Sequence, residues 1–430
     1  MSNLRKTLSP SLILCMSIST LPVAAAMDVT VLGFGGTFAG EAEGAYLPTY
    51  VAAERCLVED NNPVSGSPQP IVTLLKAAME EDTFAGGPMF TCESSTDAGT
   101  ALSSYQEEGC GERTQLCTLR LPERNGATEE VKTINITFDD VDRLDSAKMT
   151  PDNWYDVANE IINATSSAEP GIVVTHGTDT LEETAYVLGL IDEITTPVVL
   201  IGSMRAPNHL SADGLMNLLN GVTVAADEAA QGKGVMVAMD EKIYSARDVT
   251  KTNTVNLGTF ASRNPGEIGT VYFGDARFYT NPVRPVKSRC GSEGHVDCLT
   301  LDDLNTAKSL TVSIVYEQAG GTPGLVSGIA DSVDGLVIAT TGNGGTTQVT
   351  DDELSQLDTQ GVLYVAISSR TGSGRTTNAP NYGDNVKVLN ADNLNPQKAR
   401  VLLMMALAAT EDIVDNDERF DEIKTYFEIY

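Results

Sequence analysis

Short apolar runs rich in β-branched residues recur along the chain at 29–32, 171–175, 197–201, 234–239, 311–315, 335–339 and 361–367. They read as nearly continuous apolar runs, not as alternations, which is the pattern of a strand covered on both faces in a parallel sheet. Between several of them the spacing changes to the helical period, predicting helices over 154–162, 181–190, 213–226 and 397–409. Thr180 with Glu183 reads as a capping box at the start of the second helix, and Pro396 falls in the first turn of the last. Strands alternating with helices predict an α/β protein with a largely parallel sheet covered on both faces. Two stretches break the pattern. Residues 59–130 are rich in Gly, Ser, Glu and Cys with no strong apolar period and read as a long, disulfide-stapled insertion. Residues 286–308 carry Pro, Gly, Ser and two cysteines and read as a linker between a first domain over 27–285 and a second over 309–430.

The first 26 residues stand outside this alternation. Arg5 and Lys6 precede an apolar run over 8–23, and Ala24, Ala25 and Ala26 supply the small residues of a signal-peptidase site. The order predicts an exported protein, periplasmic or secreted, with a mature chain starting near Met27. In that setting Cys56, Cys92, Cys110, Cys117, Cys290 and Cys298 form an even set suited to disulfides, with Cys290 and Cys298 close enough to close a small loop. There is no C-x-x-C pair and only three histidines, so no metal site is expected. The apolar run over 401–409 is too short to cross a bilayer. A formal net charge of −31 repels phosphate backbones and anionic lipid, which argues against nucleic-acid and membrane partners.

Ligands of open α/β sheets sit beyond the carboxyl ends of the strands, so the residues after each predicted strand are the candidates for chemistry. They are Gly35-Gly36-Thr37 after the first, Thr175-His176-Gly177-Thr178-Asp179-Thr180 after the second, Ser203-Met204-Arg205 after the third, Gly342-Asn343-Gly344 after the sixth and Ser369-Arg370-Thr371 after the seventh. Phe38 stands at the third glycine position of a dinucleotide fingerprint and no Walker lysine follows, so no nucleotide cofactor is expected. With no G-x-S-x-G elbow, His176 reads as a structural histidine. Nothing sets Asp213 and Asp248 at the spacing of a glycosidase pair. Thr37 on a Gly-Gly turn is either a turn residue or a nucleophile, and a nucleophilic threonine needs a base, for which Tyr46 and Tyr50 lie downstream. Thr178 and Asp179 have no evident structural role; Asp179 suits a substrate ammonium or a lysine, and Lys251, in a run of hydroxyls and an amide over 247–254, is the candidate partner and base. Arg205 and Arg370 suit either a substrate carboxylate or the bracing of loops.

Taken together, these segments resemble the bacterial L-asparaginase and glutaminase-asparaginase family, most closely its exported type II members. The resemblance rests on residues 35–40, on Thr175 to Tyr186, on Ser211-Ala212-Asp213-Gly214, on Arg247 to Thr254, on Gly342-Asn343-Gly344 and on Leu394-Asn395-Pro396-Gln397-Lys398-Ala399-Arg400. It implies a larger N-terminal domain with a mostly parallel, flavodoxin-like sheet, a smaller C-terminal α/β domain, and a homotetramer built as a dimer of dimers. It also implies hydrolysis of the side-chain amide of asparagine, with glutamine as a second substrate, through a covalent acyl-enzyme and without a cofactor. Thr37 matches the first catalytic threonine and nucleophile. Thr178, Asp179 and Lys251 match the second threonine with its aspartate and lysine, and Tyr50 fits the catalytic tyrosine by spacing. Ser146 matches the serine that binds the substrate α-carboxylate, Asp179 the group that receives the α-ammonium, and Asn343 an asparagine placed near a neighbouring subunit's site. Ala147 stands where many type II members carry glutamine, and Asn381 where the family has glutamate. The alternatives are a hydrolase of the same fold acting on another amide or ester, and a non-catalytic amino-acid-binding protein.

Overall fold

The computed structural model of the protein describes residues 27–35, 83–84, 87–88, 90–92, 114–123, 130–165, 171–206, 209–272, 274–282, 297–357 and 361–430. Thr37, Tyr46, Tyr50, Cys56, Cys110, Cys290 and the predicted leader lie outside them. In chain order the first half contains β1 (Met27–Gly35), a small hairpin of β2 (Thr83–Phe84) and β3 (Gly87–Pro88), β4 (Phe90–Cys92), β5 (Thr114–Glu123) and β6 (Glu130–Leu144). There follow α1 (Pro151–Thr165), β7 (Gly171–Thr175), α2 (Leu181–Leu190), β8 (Val198–Ile201), α3 (Gly214–Ala225), β9 (Val235–Met239) and β10 (Lys242–Ser245). The short strands β11 (Val249–Lys251), β12 (Phe260–Ser262), β13 (Gly269–Tyr272) and β14 (Asp275–Phe278) complete it. The second half runs α4 (Leu301–Ala307), β15 (Val312–Tyr316), α5 (Leu325–Ile329), β16 (Gly335–Thr340), α6 (Gln348–Ser355), β17 (Leu363–Ser369), β18 (Val386–Asn390), α7 (Pro396–Ala409) and α8 (Asn416–Ile429).

A ten-stranded sheet orders as β14-β13-β10-β9-β8-β7-β1-β6-β5-β4, and a four-stranded parallel sheet as β15-β16-β17-β18. The centre of the large sheet, β6-β1-β7-β8-β9, is parallel and has the flavodoxin-like order, so the strand sequence reverses between β1 and β7. The flanks are antiparallel: β5 and β4 extend one edge, β10, β13 and β14 the other. The sheet is therefore parallel where helices cover both faces and antiparallel at its margins, where hairpins suffice to connect strands.

Burial follows the two-residue period along each central strand. Ile172 and Val174 of β7 with Val198 and Leu200 of β8 enter one core, shared with α1 and α2; Val173, Val199 and Ile201 enter the other, shared with α3. The first core continues through α7 to one face of the small sheet, including Val337, Tyr364 and Leu389, while Leu336, Ile338 and Val365 pack on the far side with α5 and α6. The layers are thus α3, large sheet, the helices α1, α2 and α7, small sheet, then α5 and α6.

Three expectations need correction. The segment 59–130 is not wholly an insertion, since β5 lies within it, runs antiparallel to β6 and buries Leu119 and Leu121 in the second core. The alternation that carries these leucines is interrupted by charged and sulfur-bearing residues, which hid the strand. In the same ladder Cys92 of β4 stands opposite Cys117 of β5. The stretch 286–308 ends in a helix, α4, whose Leu304 and Ala307 are buried and whose start is closed by a reciprocal Thr300/Asp303 capping box. Cys298, just before it, is disulfide-bonded. Finally, Thr180 precedes α2 but makes no side-chain cap there.

Candidate active site

The turn after β7 lies at the carboxyl end of the large sheet, beside the point where strand order reverses. Thr178 is buried in it, and Asp179 is exposed. Lys251, the last residue of β11, reaches across 73 positions of sequence to donate to Thr178 Oγ1 at 2.9 Å and to Asp179 Oδ1 at 2.6 Å. The lysine side chain is 15% exposed and the aspartate side chain 61%, so the ammonium is shielded while the carboxylate keeps an open edge for a second cation. Accepting from Lys251 leaves the Thr178 hydroxyl proton available to a ligand or water.

Ser146 closes the other side. It follows β6 in a short 3-10 turn, is 3% exposed, and its Oγ accepts the Asp179 N–H at 3.2 Å. The Thr180 hydroxyl donates to the Ser146 carbonyl at 2.8 Å, which is the work it does in place of capping α2. Two glycines permit this approach. A Cβ on Gly177 would lie 2.4 Å from Ser146 Oγ, and one on Gly202 would lie 2.8 Å from Thr178 Cγ2. Ala147, the departure beside Ser146, is exposed and gives its N–H to the Asp145 carboxylate.

His176 is structural. Its Nδ1 lies 2.7 Å from the Gly177 carbonyl and must carry the proton, so Nε2 accepts from the Thr184 hydroxyl at 3.0 Å, and Thr184 in turn accepts from Trp154 Nε1 at 3.1 Å. Burial lowers its pKa to about 4, keeping it neutral. Asp213 does not pair with Asp248 as a catalytic dyad. It receives Ser203 Oγ, the N–H groups of Met204 and Arg205, and Asn217 Nδ2, and so fastens the loop after β8 to the start of α3. Asp248 receives Ser245 Oγ and Arg247 Nη1. Both arginines left open by the sequence brace backbone: Arg205 donates to the Ser211 carbonyl and Arg370 to that of Glu317.

Asn343 belongs to a separate cluster in the second half. Its amide nitrogen donates to Thr377 Oγ1 at 2.8 Å and its oxygen accepts the Thr377 N–H at 2.7 Å. Asn381 is exposed and accepts from Gly383 N–H. Thr37 and Tyr50 fall on residues outside those described. Among the described residues no group of three or more His, Cys, Asp or Glu side chains could hold a metal ion, and no helix is long and apolar enough to cross a membrane.

Two polar groups that sequence reasoning passed over stand behind Lys251. Lys398 is 2% exposed and spends its ammonium hydrogens on the carbonyls of Ala246, Arg247 and Val249. Glu182, buried in the first turn of α2, accepts from Asn395 Nδ2. A lysine in an otherwise apolar helix face and a glutamate directly after Leu181 were the available signals.

The family model for the asparaginase N-terminal domain matches residues 97–284, and that for the glutaminase/asparaginase C-terminal domain matches 311–420. L-asparaginase 2 of Escherichia coli (strain K12) is 37% identical over 289 residues, covering 66% of this chain and 80% of the relative. Glutaminase-asparaginase of Pseudomonas fluorescens biotype A is 34% identical over 302 residues, 69% and 80% of the two chains. The crystal structure of a probable cytoplasmic L-asparaginase from Campylobacter jejuni aligns with a TM-score of 0.65 and 27% identity over 94% of this chain and 100% of that one. With both domain models matched in order over one continuous fold, the chain belongs to the asparaginase/glutaminase family.

Proposed function

We propose that this protein is an exported amidohydrolase that converts L-asparagine and water to L-aspartate and ammonia, with L-glutamine as a second substrate. The observation that carries the reading is the Lys251 amine held within hydrogen-bond reach of both Thr178 Oγ1 and Asp179 Oδ1, with Ser146 bonded to the same turn. In this reading the α-ammonium of the substrate meets the open edge of Asp179, and its α-carboxylate meets the Ser146 hydroxyl. Thr37, assigned from its motif and helped by Tyr50, attacks the side-chain amide carbon. Ammonia leaves, an ester to Thr37 remains, and water hydrolyses it. Lys251 and the Thr178 hydroxyl form the hydrogen-bonded pair through which a proton moves in the step that activates water.

Export rests on the charge, apolar and small-residue order of the first 26 positions, which also favours disulfides, with Cys298 in one of them. A homotetramer in which Asn343 faces a neighbour's site fits the exposed, pre-oriented Asn343 amide. The test is ammonia release by the purified mature protein from L-asparagine and from L-glutamine, beside Thr37→Ala and Lys251→Met. Release that disappears in both variants while their circular dichroism is unchanged supports the assignment. Full activity in Thr37→Ala would sink the acyl-enzyme, and tight asparagine binding without ammonia would make the protein a binder.

A further inference from the structure

Lys251 is carried by a strand of three residues whose ladder, β11 with β12, is separate from the large sheet. Thr178 and Asp179 are carried by the large sheet itself. A two-stranded ladder this short is marginal alone. What joins the two supports is the first turn of α7, a helix of the second half. Asn395 caps α7 by accepting the Lys398 N–H at 2.9 Å. Its amide nitrogen donates to Glu182 Oε2 at 3.0 Å, two residues beyond Thr180, and to Thr250 Oγ1 at 3.4 Å, next to Lys251. Lys398, one turn on, holds the carbonyls of Ala246, Arg247 and Val249, the residues leading into β11. An ammonium has three hydrogens, and here all three are used on one loop, so Lys398 has none left for a ligand. The charges facing it are Glu182, Glu183 and Asp248, which favour its proton, and Arg247, which opposes it; the Tyr186 ring lies 5.6 Å away. Burying a lysine is costly, and well-placed carbonyl partners offset that cost only while the loop keeps its shape.

We propose that Asn395 and Lys398 are positioning residues for the reaction, with Glu182 as the anchor on the opposite side: they fix the strand bearing Lys251 against the turn bearing Thr178 and Asp179. The inference rests on the amidohydrolase reading above. A displacement of about 1 Å in such a pair can cost on the order of 100-fold in rate. The loss falls mainly on kcat, because the backbone of Asp179 and the Ser146 hydroxyl are bonded to each other independently of β11.

The test uses the full mature enzyme with Asn395→Ser, which retains a capping oxygen but cannot reach Glu182 and Thr250 together, and the pair Glu182→Ala and Glu182→Gln, of which only the second retains an acceptor for Asn395. Asn395→Ser and Glu182→Ala are expected to lose about ten- to a hundredfold in kcat with KM within about threefold, while Glu182→Gln stays close to the parent. A readout independent of turnover is competitive acetylation by acetic anhydride, quantified for Lys251 by peptide mass spectrometry. Labelling of Lys251 relative to Lys424 should rise several-fold in the two disruptive variants. Parent-like kcat together with parent-like Lys251 labelling in Asn395→Ser overturns the proposal; should that variant fail to fold, the same result in Glu182→Ala overturns it. A parent enzyme that releases no ammonia overturns the amidohydrolase reading instead, and the labelling still decides the positioning.

Discussion

Gly177 and Ser146 touch more closely than any side chain at position 177 would allow, which makes the glycine part of the proposed substrate site without contributing a functional group. Gly177→Ala places a Cβ 2.4 Å from Ser146 Oγ, so the serine must move. The expected outcome is a KM for asparagine raised about tenfold or more with a smaller change in kcat, measured by steady-state ammonia release. His176 predicts a stability effect. Its pKa falls from 6.5 to about 4 on folding, so between those values the unfolded chain binds a proton that the folded chain refuses. Stability from this group is complete above pH 6.5 and declines as pH falls toward 4, by up to about 3 kcal/mol. Urea unfolding at pH 7 and pH 4.5 should show a larger acid loss in the parent than in His176→Gln. Single residues were most legible in the sequence where local structure gave them nothing to do. Thr178, Asp179 and Lys251 stood out because no turn or cap accounted for them. The sequence misled where two partners compete for one hydroxyl. Thr180 has the spacing of a capping residue, but the carbonyl of Ser146 is the partner that folding brings to it.

Among the elements, continuous apolar strands were readable and alternating ones were not. β7, β8 and β9 are buried on both faces and leave an unbroken apolar run. β6 alternates Ile134, Ile136 and Phe138 with Asn135 and Thr137, a period-two pattern that is itself a strand signal but one that a reading keyed to continuous apolar runs misses. The antiparallel β10, β13 and β14 are four residues each, too short for periodicity to register. Among the helices of the described residues, α1, α2, α3 and α7 were legible, while α4, α5, α6 and α8 were not; the seven residues of α4 were masked by the cysteines and prolines before it. α7 shows how an apolar helix conceals a polar function, since Lys398 lies within a run of buried residues. Lys398→Met retains the bulk of the side chain and strands three backbone carbonyls. The expected cost is about 3 kcal/mol or more, read as a lower denaturant midpoint.

For the molecule as a whole, the acidic surface implied by a net charge of −31 bears on solubility and on repulsion of polyanions, and the fold would be the same without it. The layered core matters more. One cluster runs without a break from Val174 and Leu200 of the large sheet through Leu403 and Met404 of α7 to Val337 and Tyr364 of the small one. Sequence patterning could assign each run to a strand or helix but could not show that α7 faces two sheets at once, because a helix buried all round has no polar stripe to orient it. Heating should therefore give one calorimetric transition in which both halves melt together, and two resolved peaks would count against a shared core.

That central helix also bears on how the gene could be divided. Residues 297–430 made alone would present the apolar flank of α7 to water, and residues 27–282 alone would present the complementary surface of α2, so each piece should be poorly soluble on its own. Produced in the same cell, the two should find one another, co-purify as an equimolar pair and recover ammonia-releasing activity. Fission of this chain would then be tolerated where truncation is not, with the partner segment acting as each piece's own folding template.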